Sequence, residues 1–302
     1  MKTFKGRTAV ITGGASGFGR EFARIAQRLG MHIVIADVQQ DALDKARGEI
    51  EASGGSVLAL KVDVSKTDQI QSLADATLKR FGVPSLVFNN AGVGGTGGLV
   101  WEASSQDWEW VIGVNVWGVV HGTRIFTPLM LEAAAQDASF EGHIINTASM
   151  AGLLTAPNMG VYNLTKHAVV ALTETLYQDL KLVTGQVSAS VLCPYFVPTG
   201  IHQSDRNRPT ELAREKPPTR SQQIARAMSE KAVTSGKVSA AEVAESVFEA
   251  IANNQFYVYS HPKALGNVEQ RMRAIVEIRN PPDPFAARPE VGEKLRAQLR
   301  EA

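Results

Sequence analysis

The chain has 302 residues, 44% hydrophobic and 20% charged, which suits one large α/β domain or two small ones with a sizeable core. Lys and Arg total 31 against 30 Asp and Glu, and this net charge of +1 offers no basic surface for nucleic acid or another polyanion. A single cysteine, Cys193, excludes an internal disulfide and fits a reducing compartment, and six scattered histidines give no metal-ligand spacing.

The first six residues are short and polar, unlike a signal peptide, and no run of about 18 apolar residues occurs. A cytoplasmic location with no membrane partner is therefore expected. Strand-length apolar runs then alternate with helix-length segments. Strands are expected at 7–12, 32–37, 57–63, 85–89, 143–147, 188–192 and 255–259. Helices are expected at 17–29, 39–53, 66–81, 106–135, 158–183 and 240–253. Runs such as TAVIT and HIVIA are apolar at nearly every position, as strands buried on both faces are. The β-α-β-α order predicts a doubly wound parallel seven-stranded sheet of the Rossmann kind, one domain over residues 1–260. Residues 200–237, polar and carrying Pro209, Pro217 and Pro218, follow the sixth strand, where such a sheet exposes its ligand crevice; they read as a lid. The extension at 261–302 holds an amphipathic stretch over 264–278 and a charged last helix, and is too short for a core of its own. It is expected to cover the pocket or to pack in an oligomer.

The segment AVITGGASGFGREF places Gly13, Gly17 and Gly19 between the first strand and the first helix, with Ser16 and Phe18 beside them. Glycine permits positive φ and close backbone approach, and the helix that follows offers unpaired N–H groups and a positive dipole end to a diphosphate. Asp37 closes the second strand, eighteen residues after Gly19. A carboxylate there accepts hydrogen bonds from adenosine ribose hydroxyls and repels a 2′-phosphate. Val38, Gln39 and Gln40 supply no cation to reverse that preference, so the expected cofactor is NAD. Asp63 and Val64 end the third strand and Asn89-Asn90-Ala91-Gly92 ends the fourth, both at positions that border a nucleotide.

Tyr162 and Lys166 are four apart, with Ser149 thirteen residues before the tyrosine. On a helix that spacing puts phenol and ammonium on one face, and a cation beside a phenol lowers its pKa from about 10 toward neutrality, where it can exchange a proton. Thr12-Gly13-xxx-Gly17-x-Gly19, Asn89-Asn90-Ala91-Gly92, Asn115, Ser149 and Tyr162-xxx-Lys166 together resemble the short-chain dehydrogenase/reductase family from about Lys5 to Tyr259. The resemblance implies oxidation of a secondary alcohol or reduction of a ketone with NAD(P). It implies Tyr162 as acid/base, Lys166 as the group that lowers the phenol pKa and binds the nicotinamide ribose, and Ser149 as hydrogen-bond donor to the reacting oxygen. It further implies that Asn115 bends a long helix and fixes a water beside the lysine. Pro194, Val197 and Thr199 resemble the segment that meets the nicotinamide carboxamide. Tyr195 departs from the pattern, standing where glycine is usual, and would narrow the pocket or give it an aromatic wall. Cys193 reads as a packed strand residue.

The expected substrate pocket comprises Val93, Gly94, Met150, Ala151, Met159, Tyr195, Phe196, Ile201 and His202, a mostly apolar set that suits a hydrophobic, cyclic or aromatic alcohol or ketone. Arg206 and Arg208 in the lid are candidates to meet a carboxylate. The length and place of the tail resemble a subset of the family acting on aromatic or aryl-propanoid alcohols. The helix over 158–183 carries Val161, Leu164, Val169, Val170, Leu172, Leu176 and Leu180 on more than one side, so it is expected to be buried, with one face against a second copy in a homodimer or homotetramer. A non-catalytic NAD-binding regulator would be marked by damage to Ser149, Tyr162 or Lys166, and a lyase or dehalogenase by loss of the glycine turn or Asp37. All of these residues are present.

Overall fold

The computed structural model describes residues 1–300; the last two residues of the extension read above lie outside the described residues. Strands β1 (Thr8–Thr12), β2 (His32–Asp37), β3 (Val57–Lys61), β4 (Leu86–Asn89), β5 (Gly142–Thr147), β6 (Val187–Cys193) and β7 (Tyr257–Tyr259) form one parallel sheet in the order β3-β2-β1-β4-β5-β6-β7. The helices are α1 (Gly17–Arg28), α2 (Gln40–Ala52), α3 (Thr67–Phe81), α4 (Ser105–Ile112), α5 (Gly118–Gln136), α6 (Gly160–Val183), α7 (Arg220–Thr234), α8 (Ala240–Ala252), α9 (Leu265–Val276) and α10 (Pro289–Arg300).

Side chains along each strand alternate between two cores. Ala9 and Ile11 of β1 join Phe22 of α1, Leu43 of α2 and Val247 of α8, whereas Val10 joins Ile70 of α3, Phe126 of α5 and Leu180 of α6. Burial on both faces accounts for the unbroken apolar runs in the sequence. The chain leaves β1 toward β2 and later returns on its other side to lay β4 against it. That reversal opens a crevice at the carboxyl ends of β1 and β4, and the site forms there.

Two details differ from the sequence expectations and two others fill them in. The helix expected over 106–135 is divided: α4 ends at Ile112, a π-helical turn spans Gly113–Trp117, and α5 follows. The widened turn directs Asn115 inward, where it is fully buried and bound to the Val93 backbone. Second, β3 stops at Lys61, leaving Asp63 beyond the strand. The Asp63 carboxylate accepts the Ser65 N–H at 2.9 Å, a local turn that competes with the ladder. Third, α6 is not covered all round: Val169, Val170, Leu176 and Leu180 are buried, but Leu164 is 50% exposed. Fourth, the lid is itself ordered into 3-10 turns at Gly200–Asn207 and Thr210–Leu212 followed by α7. In the tail, Ala264, Leu265 and Val268 pack on Val119, Met150, Val169 and Val191, so the extension covers part of its own domain. Among the described residues no helix is long and apolar enough to cross a membrane.

Candidate active site

Gly13 (φ 63°) and Gly17 (φ 51°) both occupy the left-handed region. A Cβ on Gly13 would stand 2.9 Å from the Ala91 backbone, and one on Gly19 would stand 2.1 Å from the Gly13 carbonyl oxygen. Only glycines let the first turn of α1 lie this close to the loop after β4. Ser16, the residue that opens α1, makes no capping bond with its side chain, so the first N–H groups of the helix remain available on the cleft side. Thr12 ties the strand ends together. Its Oγ1 accepts from Asn90 N at 2.9 Å and Ala91 N at 3.1 Å and donates to Phe88 O at 3.2 Å. The Asn90 amide donates to Thr12 O at 3.0 Å and accepts from Thr147 Oγ1 at 3.2 Å.

These elements floor a cleft of about 720 Å³. Gly13, Ser16, Gly17, Phe18, Asp37, Asp63 and Val64 line it, as do Asn90, Ala91, Gly92, Tyr162, Lys166, Pro194 and Thr199. Two residues expected there are not on its wall: Gly19 packs behind Gly13, and Val197, 3% exposed, faces the adjoining pocket. Asp37 is fixed at the rim by accepting the Ala15 N–H at 3.2 Å and the Gln39 N–H at 3.1 Å. Burial raises its pKa, and those two N–H groups oppose the rise. Although no cation follows Asp37 in sequence, space supplies one: Arg206 of the lid donates from Nε to Gln39 Oε1 at 3.4 Å and its charge favours the Asp37 carboxylate.

A second pocket of about 260 Å³ adjoins the cleft and is lined by Gly94, Met150, Ala151, Met159, Tyr195, Phe196, Ile201 and His202. Val93 belongs to the cleft instead. Tyr195 forms an aromatic wall there, with its ring 4.3 Å from Phe196 and 5.9 Å from His261, and with its N–H bonded to Ser260 of the tail at 2.9 Å. Cys193 is fully buried and its thiol is pushed up to about 12 by burial, as suits a packed strand residue.

Tyr162 borders both cavities. Ser149 is the side chain that acts on its phenol, working against the rise that burial causes in the phenol pKa. Ser149 Oγ is held by the Ala151 N–H at 3.1 Å and by Pro194 O at 3.3 Å. Lys166, buried one helical turn further on, donates from Nζ to Thr147 O at 2.9 Å and lies 5.6 Å from the centre of the Tyr162 ring. Asn115 accepts the Val93 N–H at 2.8 Å and donates to Val93 O at 2.9 Å and to Thr165 Oγ1 at 3.2 Å. A Cβ on Gly92 would lie 3.3 Å from Asn115 Oδ1 and 3.5 Å from Lys166 Nζ, so Gly92 separates amide from ammonium.

The lowered phenol pKa expected from the Tyr162–Lys166 spacing is not found in the protein alone. Burial dominates and pushes Tyr162 up to about 12, although Ser149 works against it. Burial likewise brings Lys166 down to about 8. A cation as poorly solvated as the phenol beside it cannot offset the phenol's own desolvation.

The family model described as short chain dehydrogenase matches residues 7–210. The chain belongs to the short-chain dehydrogenase family. It is 32% identical over 283 residues to the CLA biosynthesis dehydrogenase/reductase of Lactiplantibacillus plantarum, covering 91% of this chain and 95% of that protein. It is 34% identical over 259 residues to the 1-deoxy-11-beta-hydroxypentalenate dehydrogenase of Streptomyces exfoliatus, covering 85% of this chain and 84% of that one. Among solved structures, a short chain dehydrogenase/reductase from Burkholderia phymatum in complex with NAD superposes with a TM-score of 0.92 at 51% identity, covering 95% of this chain and all of that one.

Within this short-chain dehydrogenase, the contacts that tie the lid to the site, and Ser204 among its residues, are what motif reading missed. Ser204 Oγ accepts the Gly94 N–H at 3.0 Å. Arg208 pairs through Nη1 with Asp107 of α4 at 2.6 Å and lies over the Trp110 ring, and it lines the cleft with its buried Nη2 lacking a hydrogen-bond partner among the described residues. Asp107 also accepts from Thr96 Oγ1 at 2.6 Å, and Arg214 Nε lies 3.7 Å away. These partners hold the Asp107 pKa down to about 2 against the opposing effect of burial. No short motif encodes the contacts of Ser204 with Gly94 and of Arg208 with Asp107, because they join residues 110 and 101 positions apart. Thr12 opens the glycine motif in the sequence, and the structure gives it the ends of β1 and β4 to join.

Proposed function

We propose that this chain is an NAD-dependent dehydrogenase or reductase that interconverts a secondary alcohol and a ketone, with a hydrophobic, cyclic or aromatic substrate. The observation that carries this reading is the position of Tyr162, which borders both the dinucleotide cleft and the apolar pocket that Ser149 also lines. The uncapped start of α1 and the crowded glycines fit a diphosphate, and Asp37 fits ribose hydroxyls. The bound nicotinamide supplies hydride acceptance in oxidation and hydride donation in reduction.

The residues of the chain handle the proton and the geometry. Tyr162 takes the hydroxyl proton of an alcohol, or returns it to a ketone oxygen. Ser149 donates a hydrogen bond to that oxygen and stabilises the charge that develops on it. Lys166 holds the ribose hydroxyls at the inner end of the cleft and keeps a positive charge beside the phenol. Asn115 positions the Gly92–Val93 backbone against the lysine. The wall of Tyr195, Phe196 and Met159 excludes water and favours an apolar substrate body. The 1–260 domain, with its lid near 200–237, is the catalytic unit, and the exposed Leu164 side of α6 is the face that meets a second copy in a homodimer or homotetramer. The test is Tyr162→Phe. Turnover of a cyclic or aryl alcohol, followed by NADH absorbance, falls at least a thousandfold while NAD affinity stays within a few-fold. Normal turnover in that variant refutes the assignment.

A further inference from the structure

We infer that Arg206 of the lid is a positioning residue for the cofactor, one that reaches across the cleft to a phosphate oxygen of the dinucleotide and so draws the lid onto it. This rests on the dinucleotide reading above. Arg206 sits in the first lid turn, Gly200–Asn207, and lines the large cleft. Its guanidinium is aimed in advance: Nη1 donates to Gly200 O at 3.0 Å and Gln203 O at 2.9 Å, and Nε to Gln39 Oε1 at 3.4 Å. Residue 200 is glycine, and a Cβ there would stand 3.1 Å from Nη2. The side chain therefore bridges two landmarks. At one end is Gly200, next to Thr199, whose side chain borders Gly17 of the phosphate-binding turn. At the other is Gln39, two residues past Asp37.

The charge balance of the cleft points the same way. Lys166 is buried at its inner end and bound to Thr147 O, and Arg208 is engaged with Asp107. The phosphate turn itself carries only glycines, Ala15, Ser16 and Phe18, so it offers two phosphate charges backbone N–H groups and the Ser16 hydroxyl but no cation. Arg206 is exposed, with Nη2 unbonded. A planar guanidinium is well shaped for phosphate oxygens. Because its carrier is the lid, a phosphate bond to Arg206 would add to the bridge that Arg206 already makes between the lid and Gln39. The lid also includes Ser204, which holds Gly94 of the substrate pocket, so cofactor binding orders the pocket wall as well.

The experiment measures dissociation constants by calorimetry for NAD, ADP-ribose, adenosine and 2′-AMP with wild type, Arg206→Ala and Arg206→Lys, together with hydrogen exchange over 200–212. Expected for Arg206→Ala is weakening of about tenfold or more for NAD and ADP-ribose, no change for adenosine, and partial recovery in Arg206→Lys. Binding of ADP-ribose slows exchange over 200–212 in wild type and not in Arg206→Ala. Unchanged NAD and ADP-ribose affinity in Arg206→Ala overturns the inference. So does a loss confined to 2′-AMP, which would assign Arg206 to the ribose 2′ position. Wild type that fails to bind NAD refutes the cofactor reading itself, an outcome distinct from either.

Discussion

Asp107→Asn tests the latch that holds the lid to α4. Asp107 Oδ1 accepts from Arg208 Nη1 and Thr96 Oγ1, both at 2.6 Å, and Oδ2 accepts from Ser104 N at 3.0 Å and Ser104 Oγ at 2.9 Å. The ion pair is nearly dry, its side chains 7% and 4% exposed for Arg208 and Asp107. An amide removes the negative charge and turns a donor toward groups that are themselves donors. Arg208 then stays buried without a counter-charge, at a cost of about 3–5 kcal/mol, a large share of a typical domain's stability. The pKa of about 2 gives an independent value. Protonating Asp107 in the folded state, relative to its ordinary value of 3.8, costs about 2 kcal/mol. This is smaller because a protonated carboxyl still accepts hydrogen bonds, whereas the amide adds a misdirected donor. The depressed pKa means that the contribution is fully present above about pH 4 and is lost as pH falls toward 2. Urea unfolding at pH 7 should show a lower midpoint with unchanged slope for the variant, and its stability should fall less than that of wild type between pH 4 and 2. The double variant Asp107→Leu with Arg208→Met should recover most of the loss, since apolar pairs often replace buried ion pairs at little cost. A loss below about 1 kcal/mol in Asp107→Asn would show that the network behaves as a surface pair and would refute the latch.

Gly19→Ala places a methyl 2.1 Å from the Gly13 carbonyl oxygen, and the expected outcome is a stability loss of about 1–3 kcal/mol with NAD affinity reduced at least tenfold, read by thermal melts and calorimetry. Asp37→Ala should raise the ratio of NADP to NAD efficiency by about ten- to a hundredfold, because it removes the carboxylate that repels a 2′-phosphate and accepts from the ribose hydroxyls; a wild type that already prefers NADP in paired kinetics defeats the ribose argument. Ultraviolet titration of the free protein, with Tyr162→Phe as the reference, should show no Tyr162 phenolate below about pH 11; a Tyr162 signal near pH 7 would overturn the burial account.

The sheet was legible because its evidence is local. Apolar runs such as TAVIT report burial on both sides, and β1 to β7 lie within a few residues of their expected places. The glycine turn was legible for the same reason: Gly13, Gly17 and Gly19 are contiguous, and steric demand explains each one. What sequence could not supply was the outcome of competition. Asn115 inside an apolar helix marked a special position, but the π turn depends on Val93 and Thr165, which reach it from other elements. The Tyr162–Lys166 spacing gave the right neighbours and the wrong direction of pKa shift, because helical spacing reports proximity and not solvent exposure. Arg206 and Arg208 were visible as charges, and only the folded lid assigns one to the cleft rim and the other to Asp107.

Thr12 gives the two halves of the site unequal responses to their surroundings. One hydroxyl joins the ends of β1 and β4 and, through Asn90, β5, using neutral hydrogen bonds inside the sheet. The platform beneath the reaction is therefore indifferent to dissolved ions. The cover above it reaches the rim through the solvent-exposed guanidinium of Arg206, whose attraction to charge is screened. Rising ionic strength would thus slacken entry and exit while leaving the alignment of Ser149 and Tyr162 as it was, so that one property of the surrounding solution tunes traffic without disturbing chemistry.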